Sequence, residues 1–398
     1  MDRSHQRCWS ACWLALAIAC LSVVALRSAK SQLRPNPAAL ASAPPDLIER
    51  LRADPFAYFR FINRAWTERV CEAFADTPDL PIVRLHGDAH VEQFALTKDA
   101  WGLDDFDDSA RGPAVVDLVR YLGSIDLAAR QRGWTRHRDA LWDRFLDGYR
   151  RGLLDPAYRA PEPEIVRRLR KQAPLTRAAY LAWGESLMQP MEPARLKSVV
   201  EGMIAFESFI RHDRPELVPG YFAVVRAGWL RIGVGSAGTR KVLIRVQGPS
   251  ADPEDDQLIE AKEVANLEGV RCLEPPEGPQ AIRVVDGTRQ LGRLKHDILA
   301  VGPTQLIPAA ADRAEHWLDW WVSSWDASYR EVHLSDLRSA SDLGDIAFDS
   351  GVQLGAGKVT AVRKPALASL ATTEARLRKE TSTIVEELLS GWREFGRQ

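Results

Sequence analysis

Arg84–Ser124, RLHGDAHVEQFALTKDAWGLDDFDDSARGPAVVDLVRYLGS, is the densest chemistry-bearing stretch of this chain. His86, Asp88 and His90 follow Pro81–Leu85, a short apolar, β-branched run that reads as a buried strand. Gln93–Thr97 and Trp101–Leu103 read as two more short strands around a Lys98-Asp99 turn. Folding that hairpin back sets Asp104, Asp105, Asp107 and Asp108 beside the His-Asp-His loop. Four carboxylates in five positions repel one another unless a cation or base compensates them. A solvated acidic loop would not need the apolar flanks seen on both sides. Pro113 suits the first turn of a helix expected over 113–128.

Apolar spacing near three and four predicts helix over 46–77, interrupted at Pro55, and again over 136–153, 163–171 and 193–212. The period then changes. Ala223–Ile232, Lys241–Val246 and Gln257–Val264 read as strands, and helices return over 281–299, 311–326 and 364–395. Trp317, Trp320, Trp321 and Trp325 fall on the 311–326 helix, as core or a lobe interface. The expected class is α+β. A linker over 31–45 leads into a helical lobe over 46–215, a small antiparallel β lobe over 216–300 and a helical part over 301–398.

The chain of 398 residues is 45% hydrophobic and 27% charged, enough to bury a large core and too apolar for disorder. Its 53 basic and 54 acidic residues leave a net charge of −1, which gives no electrostatic footprint for nucleic acid. Cys71 and Cys272 are the cysteines of the body, and neither has a CxxC neighbour to point to zinc or redox chemistry. Cys8–Leu26 is an uncharged run of 19 residues with Arg3 and Arg7 before it and Arg27, Lys30 and Arg34 after it. Residues 1–30 therefore read as a single membrane anchor or a secretory signal, unless the start is misassigned. The denser positive charge after the run favours a cytoplasmic body; an exported body is the alternative.

Gly233-Val234-Gly235-Ser236-Ala237-Gly238 fits GxGxxG. In a dinucleotide-binding fold that loop opens a helix, whereas here a strand follows it. A glycine loop between strands is the arrangement that covers nucleotide phosphates in kinases, and the plain alternative is a tight hairpin. Lys262 on the next strand is the candidate phosphate-pairing lysine. Lys241 competes, but sits close to the loop. Asp286 and Glu268 are the candidate carboxylate partners of Lys262. His296, His316 and His333 read as structural.

His86-Gly87-Asp88-Ala89-His90 resembles the catalytic loop of aminoglycoside phosphotransferase-like kinases, and Asp104–Asp108 is similar to their metal-binding motif. The resemblance implies that Asp88 accepts or orients the proton of an acceptor hydroxyl, with His86 and His90 beside it. It implies that Asp105 holds Mg²⁺ against the phosphates of ATP, assisted by Asp107. Asp117 would bond the catalytic-loop backbone. One departure is clear. Gln93 stands where that family has asparagine, which displaces an amide ligand in a site where Mg²⁺ demands close to ideal geometry.

The glycine loop, with Gly233, Gly235, Ser236 and Gly238, and Lys262 follow the catalytic-loop motif instead of preceding it. That order is similar to the domain of unknown function 2252 family of bacterial proteins. Asp54–Arg60, Gly87–Phe94, Leu103–Asp108, Ile232–Arg240, Glu260–Glu263 and Arg283–Arg289 resemble its motifs in sequence. The resemblance implies a two-lobed, permuted protein kinase-like fold and an ATP- and Mg²⁺-dependent phosphotransferase with a small-molecule or protein hydroxyl acceptor. Two other functions are open from the residues. One is a metal-dependent phosphohydrolase using His86, Asp88, His90 and Asp105. The other is a nucleotide-binding protein without turnover, favoured by Gln93.

Overall fold

A computed structural model of the chain describes residues 33–172, 175–230, 239–275, 278–302 and 320–397. These residues form twelve α-helices and three antiparallel sheets, an α+β fold. The candidate anchor over 1–30 and the loop carrying Gly233, Gly235, Ser236 and Gly238 lie outside the described residues. Among the described residues, no helix is long and apolar enough to cross a membrane.

The helical part is organised by Val115–Gln131, whose residues from Val115 to Ala129 are all buried. It packs against the helices Asn63–Ala73 and Arg138–Leu154 and against the terminal helix Thr360–Phe395. Pro113 does not open this helix. It closes the strand Ala110–Pro113, and helix begins two residues later. The expected helix over 46–77 is three: Pro45–Ala53, Pro55–Phe61 and Asn63–Ala73. Asp54 separates the first two, and its carboxylate accepts from Phe56 N–H at 2.8 Å as an N-cap.

The helix Ala340–Ala356, absent from the sequence reading, lies tightly along Arg138–Leu154. A Cβ at Gly148 would sit 2.0 Å from the Phe348 carbonyl oxygen, and one at Gly351 2.2 Å from that of Phe145. Those glycines let the two backbones touch. They also lower helix propensity, which hid this helix from a pattern search.

The largest sheet has six strands in the order Met188–Gln189, Val224–Leu230, Lys241–Val246, Gln257–Glu263, Trp320–Ser324, Leu299–Val301. Trp320–Ser324 is thus an inner strand, paired with Gln257–Glu263, and corrects the helix expected over 311–326. Residues 303–319 lie outside the described residues. The helix expected over 281–299 runs from Gln280 to Leu291 and gives way to an edge strand. The helix Pro193–Asp213 covers one face of the sheet through Val199, Met203 and Phe206, which pack on Val242, Ile244, Ile259 and Trp320. On the other face, Gln280–Leu291 packs through Val284 and Val285 against Trp321.

Two small sheets hold the site. Ile82–Leu85 pairs with Ala110–Pro113, and Phe94–Leu96 pairs with Trp101–Leu103 and Arg330–Glu331. The segment 86–93 and the acidic segment 104–109 both cross from one small sheet to the other, so they run side by side. Cys71 and Cys272 form a disulfide across 201 residues, with Cα atoms 5.5 Å apart. It fastens the helix Asn63–Ala73 to the segment that follows the Lys262 strand.

Candidate functional site

The central helix turns one polar stripe toward the His-Asp-His loop. Asp117, Arg120 and Ser124 lie at i, i+3 and i+7, on one face. The Asp117 carboxylate accepts from the backbone N–H groups of His86 and Gly87, both at 2.9 Å. Ser124 Oγ accepts from Val91 N–H at 3.2 Å. Arg120, wholly buried, reaches Asp88 Oδ1 from Nη2 at 2.6 Å and from Nε at 2.8 Å. Its guanidinium also lies 3.5 Å over the Phe59 ring and donates to the Phe59 carbonyl at 3.1 Å. Arg60 pairs with Glu92 at 3.0 Å. The Asp54–Arg60 stretch therefore braces the loop from below.

Gly87 has φ of 88°, and a Cβ there would lie 1.8 Å from the Asp108 carbonyl oxygen. No side chain fits where the two loops cross. Asn63 Nδ2 spans the same crossing, donating to the Gly87 carbonyl and to Asp108 Oδ2, each at 3.0 Å.

His86 is held through both ring nitrogens, whereas His90 is held through Nδ1 and its Nε2, buried with no hydrogen-bond partner among the described residues, lies 3.6 Å from Asp88 Oδ2. His86 Nδ1 is 3.3 Å from Asp88 N–H and Nε2 is 2.9 Å from the Asp104 carbonyl oxygen. A backbone N–H only donates and a carbonyl only accepts, so Nδ1 accepts and Nε2 carries the proton. His90 Nδ1 accepts from Glu92 N–H at 3.2 Å, and its ring packs edge-on to Phe56 and Phe59. Burial, with Arg60 and Arg120 adding to it, holds His90 well below the usual imidazole range. Asp88 is 5% exposed, and burial raises its carboxyl to about 6 against the pull of Arg120.

The acidic run meets groups from elsewhere in the fold, which answer the repulsion expected from the sequence: Asp105 and Asp107 share Lys262, and Asp108 has Asn63. Asp108 Oδ2 takes a hydrogen bond from Asn63 Nδ2. Asp105 sits at φ of 57° and meets Lys262 Nζ at 3.0 Å from Oδ1. Gln93 Nε2 lies 3.5 Å from its other oxygen. Asp107 Oδ2 pairs with the same Lys262 ammonium, and Asp107 Oδ1 is buried with no hydrogen-bond partner among the described residues. Burial works against ionising Asp105, but the fields of Lys262 and then Lys241 outweigh it and hold that carboxyl well below its ordinary range. Burial and then the Asp105 charge push Asp107 well above it. Lys262 stays charged despite burial because both carboxylates face it.

The partners of Lys262 are thus the acidic loop itself. Asp286, a candidate from the sequence, lies 3.4 Å from Arg84, and the Glu268 carbonyl accepts from Arg64 at 2.8 Å. Arg283 is a further member. It is buried and donates to the carbonyls of Asp107 at 2.6 Å, Ser109 at 2.7 Å and Ala265 at 2.5 Å. It ties the acidic loop to the chain just beyond Lys262. Arg120 was not singled out in the sequence, and Arg283 only as the first residue of a family-like motif, with no role given to it. The available signal was a charged residue inside an otherwise apolar helical pattern. Among the described residues, no group of three or more His, Cys, Asp or Glu is placed to hold a metal ion by side chains alone.

Residues 45–180 match the model of a protein family described as an uncharacterized protein conserved in bacteria, DUF2252. This is the family that the motifs resemble, and the match takes in the His-Asp-His loop, the acidic loop and the Asp117 helix. The strand of Lys262 and the helix of Arg283 lie beyond it. No curated protein and no solved structure matches the chain.

Proposed function

We propose that this site performs magnesium-dependent phosphoryl transfer from ATP to a hydroxyl acceptor. One observation carries the reading. Lys262 of the sheet meets Asp105 of the acidic loop at 3.0 Å, although 157 residues separate them. A lysine beside two carboxylates, behind a loop carrying a further buried aspartate, is the equipment that phosphoryl transfer needs. That reaction asks mainly for positioning and charge neutralisation.

The residues fit a divalent cation. Asp105 and Asp107 converge on one positive group, and Asp107 keeps a buried oxygen without a hydrogen-bond partner among the described residues. Magnesium commonly takes one or two protein carboxylates and completes its shell with phosphate oxygens and water. Asp105 and Asp107 would hold it, and when bound it would neutralise charge on the transferred phosphoryl group. Lys262, released from the carboxylates, pairs with phosphate oxygens. Asp88 takes the acceptor hydroxyl proton. Arg120 orients that carboxylate, and Asp117 fixes the backbone that carries it. His86 and His90 hold the loop that carries Asp88.

Titration calorimetry of the full-length protein with ATP, with and without Mg²⁺, tests this reading. Magnesium-dependent binding that Asp105→Asn removes is expected. Asp88→Asn should bind and turn over nothing. Absence of Mg²⁺-dependent binding in the unaltered protein overturns the proposal.

A further inference from the structure

The two oxygens of Asp88 have different surroundings. Arg120 holds Oδ1 with two N–H groups, at 2.6 and 2.8 Å. Oδ2 lies 3.6 Å from His90 Nε2. The state of that nitrogen follows from its partner in the ring. Nδ1 accepts from Glu92 N–H at 3.2 Å, so the ring is neutral and its proton sits on Nε2. This N–H is buried with no hydrogen-bond partner among the described residues. The ring is confined, with Phe56 edge-on at 5.8 Å and Phe59 at 6.4 Å between ring centres. Holding the loop uses Nδ1 alone, and a buried donor left unpaired costs about 1–3 kcal/mol. Bringing Nε2 to the usual ~2.9 Å from Oδ2 needs a shift of under about 1 Å. Contacts of catalytic carboxylates are often this long before substrate is in place.

We propose that His90 is a positioning residue that acts through Asp88: its Nε2–H donates to Oδ2 and, with Arg120 on Oδ1, fixes the plane of the carboxylate. One lone pair of Oδ2 is then left for the acceptor. The acceptor oxygen bonds to the γ-phosphorus, ADP leaves, and the hydroxyl proton passes to Oδ2. The use of the contact rests on the phosphoryl-transfer reading above, whereas the contact itself stands on geometry.

The test has two arms, both on the full-length protein. The first is NMR of the ring nitrogens with isotope-labelled histidine, His90 being assigned by its loss in a variant. A proton on His90 Nε2 is expected, with a resonance that moves upfield when Asp88→Asn removes the charged acceptor. A proton on Nδ1, or no upfield movement, overturns the proposal. The second arm is phosphate release from ATP and Mg²⁺, with water as the acceptor. His90→Asn keeps an acceptor for Glu92 N–H and lacks the donor at Nε2. His90→Gln returns an amide N–H near Nε2 and lacks that acceptor. Both lose the ring between Phe56 and Phe59, so both should melt lower. His90→Asn should turn over about tenfold to hundredfold more slowly at unchanged ATP affinity, the range for one lost hydrogen bond to a charged group. His90→Gln should recover most of that rate. Equal rates, or a faster His90→Asn, would show that His90 only holds the loop, and overturn the proposal. If the unaltered protein shows no Mg²⁺-dependent ATP binding, the phosphoryl-transfer reading falls, and the NMR arm still decides the His90–Asp88 contact.

Discussion

Replacing Arg120 with methionine tests how the Asp88 loop is held. The guanidinium is wholly buried and lies 2.6 Å from Asp88 Oδ1. A pair of unit charges about 4 Å apart, at an effective dielectric near 20, attracts by about 4 kcal/mol. Removing one partner of a buried pair costs about 3–5 kcal/mol, because the other charge is left behind. The lost contact with the Phe59 ring adds roughly 1 kcal/mol. Arg120→Met should therefore cost about 4–6 kcal/mol in urea unfolding. Asp88→Asn on the same background removes the stranded carboxylate, and the double variant should recover about 2–3 kcal/mol relative to the sum of the singles. The pH dependence has a definite sign. Asp88 has a folded pKa of about 6, raised above the unfolded 3.8, so the folded state binds the extra proton between them. Stability contributed by that group is full below pH 3.8 and is lost as pH rises toward 6. Without Arg120, a pull that lowers the pKa is gone, and the loss should continue above pH 6. A cost for Arg120→Met under about 1 kcal/mol, or single costs that simply add, would refute the claim that Arg120 neutralises Asp88.

Further outcomes are expected for the disulfide, for two glycines and for the pH dependence of turnover. Peptide mapping without reductant should link Cys71 to Cys272, and Cys71→Ser should lower stability by up to about 5 kcal/mol, the loop-entropy limit for this separation. Gly351→Ala should destabilise by about 1–3 kcal/mol or more in thermal unfolding, because its Cβ would press on a backbone carbonyl. Gly344→Ala, where the nearest atom is 3.4 Å away, should be neutral or stabilising by up to about 1 kcal/mol. If the site turns over ATP, the rate should fall as pH drops through about 6, as the Asp88 carboxylate is protonated. A rate flat from pH 5 to 8 would remove Asp88 from the proton-accepting role.

The site was legible where its residues are close in sequence. The two loops, their flanking strands and the strand of Lys262 follow from local apolar patterning. Lys262 was found by its place after a glycine loop and a strand, but its partners were not, because Asp105 and Asp107 reach it only through the tertiary fold. Trp320 and Trp321 read as helical because adjacent aromatics with Trp325 four residues on mimic that period, while sheet pairing decided their conformation. The helix Ala340–Ala356 was hidden by the glycines that make its packing close. The Cys71–Cys272 bond was illegible because no spacing rule connects residues 201 apart. Arg120 and Arg283 carry ordinary charges in sequence, and only their burial against backbone carbonyls and Asp88 reveals their part.

The most direct measurement is a crystal structure of the full-length protein grown with Mn²⁺, as a stand-in for Mg²⁺, and a slowly hydrolysed ATP analogue. The account predicts an anomalous peak between the carboxylates of Asp105 and Asp107, with Lys262 Nζ moved from them onto a phosphate oxygen. Manganese bound elsewhere, or a nucleotide that leaves the Lys262–Asp105 pair intact, would contradict it.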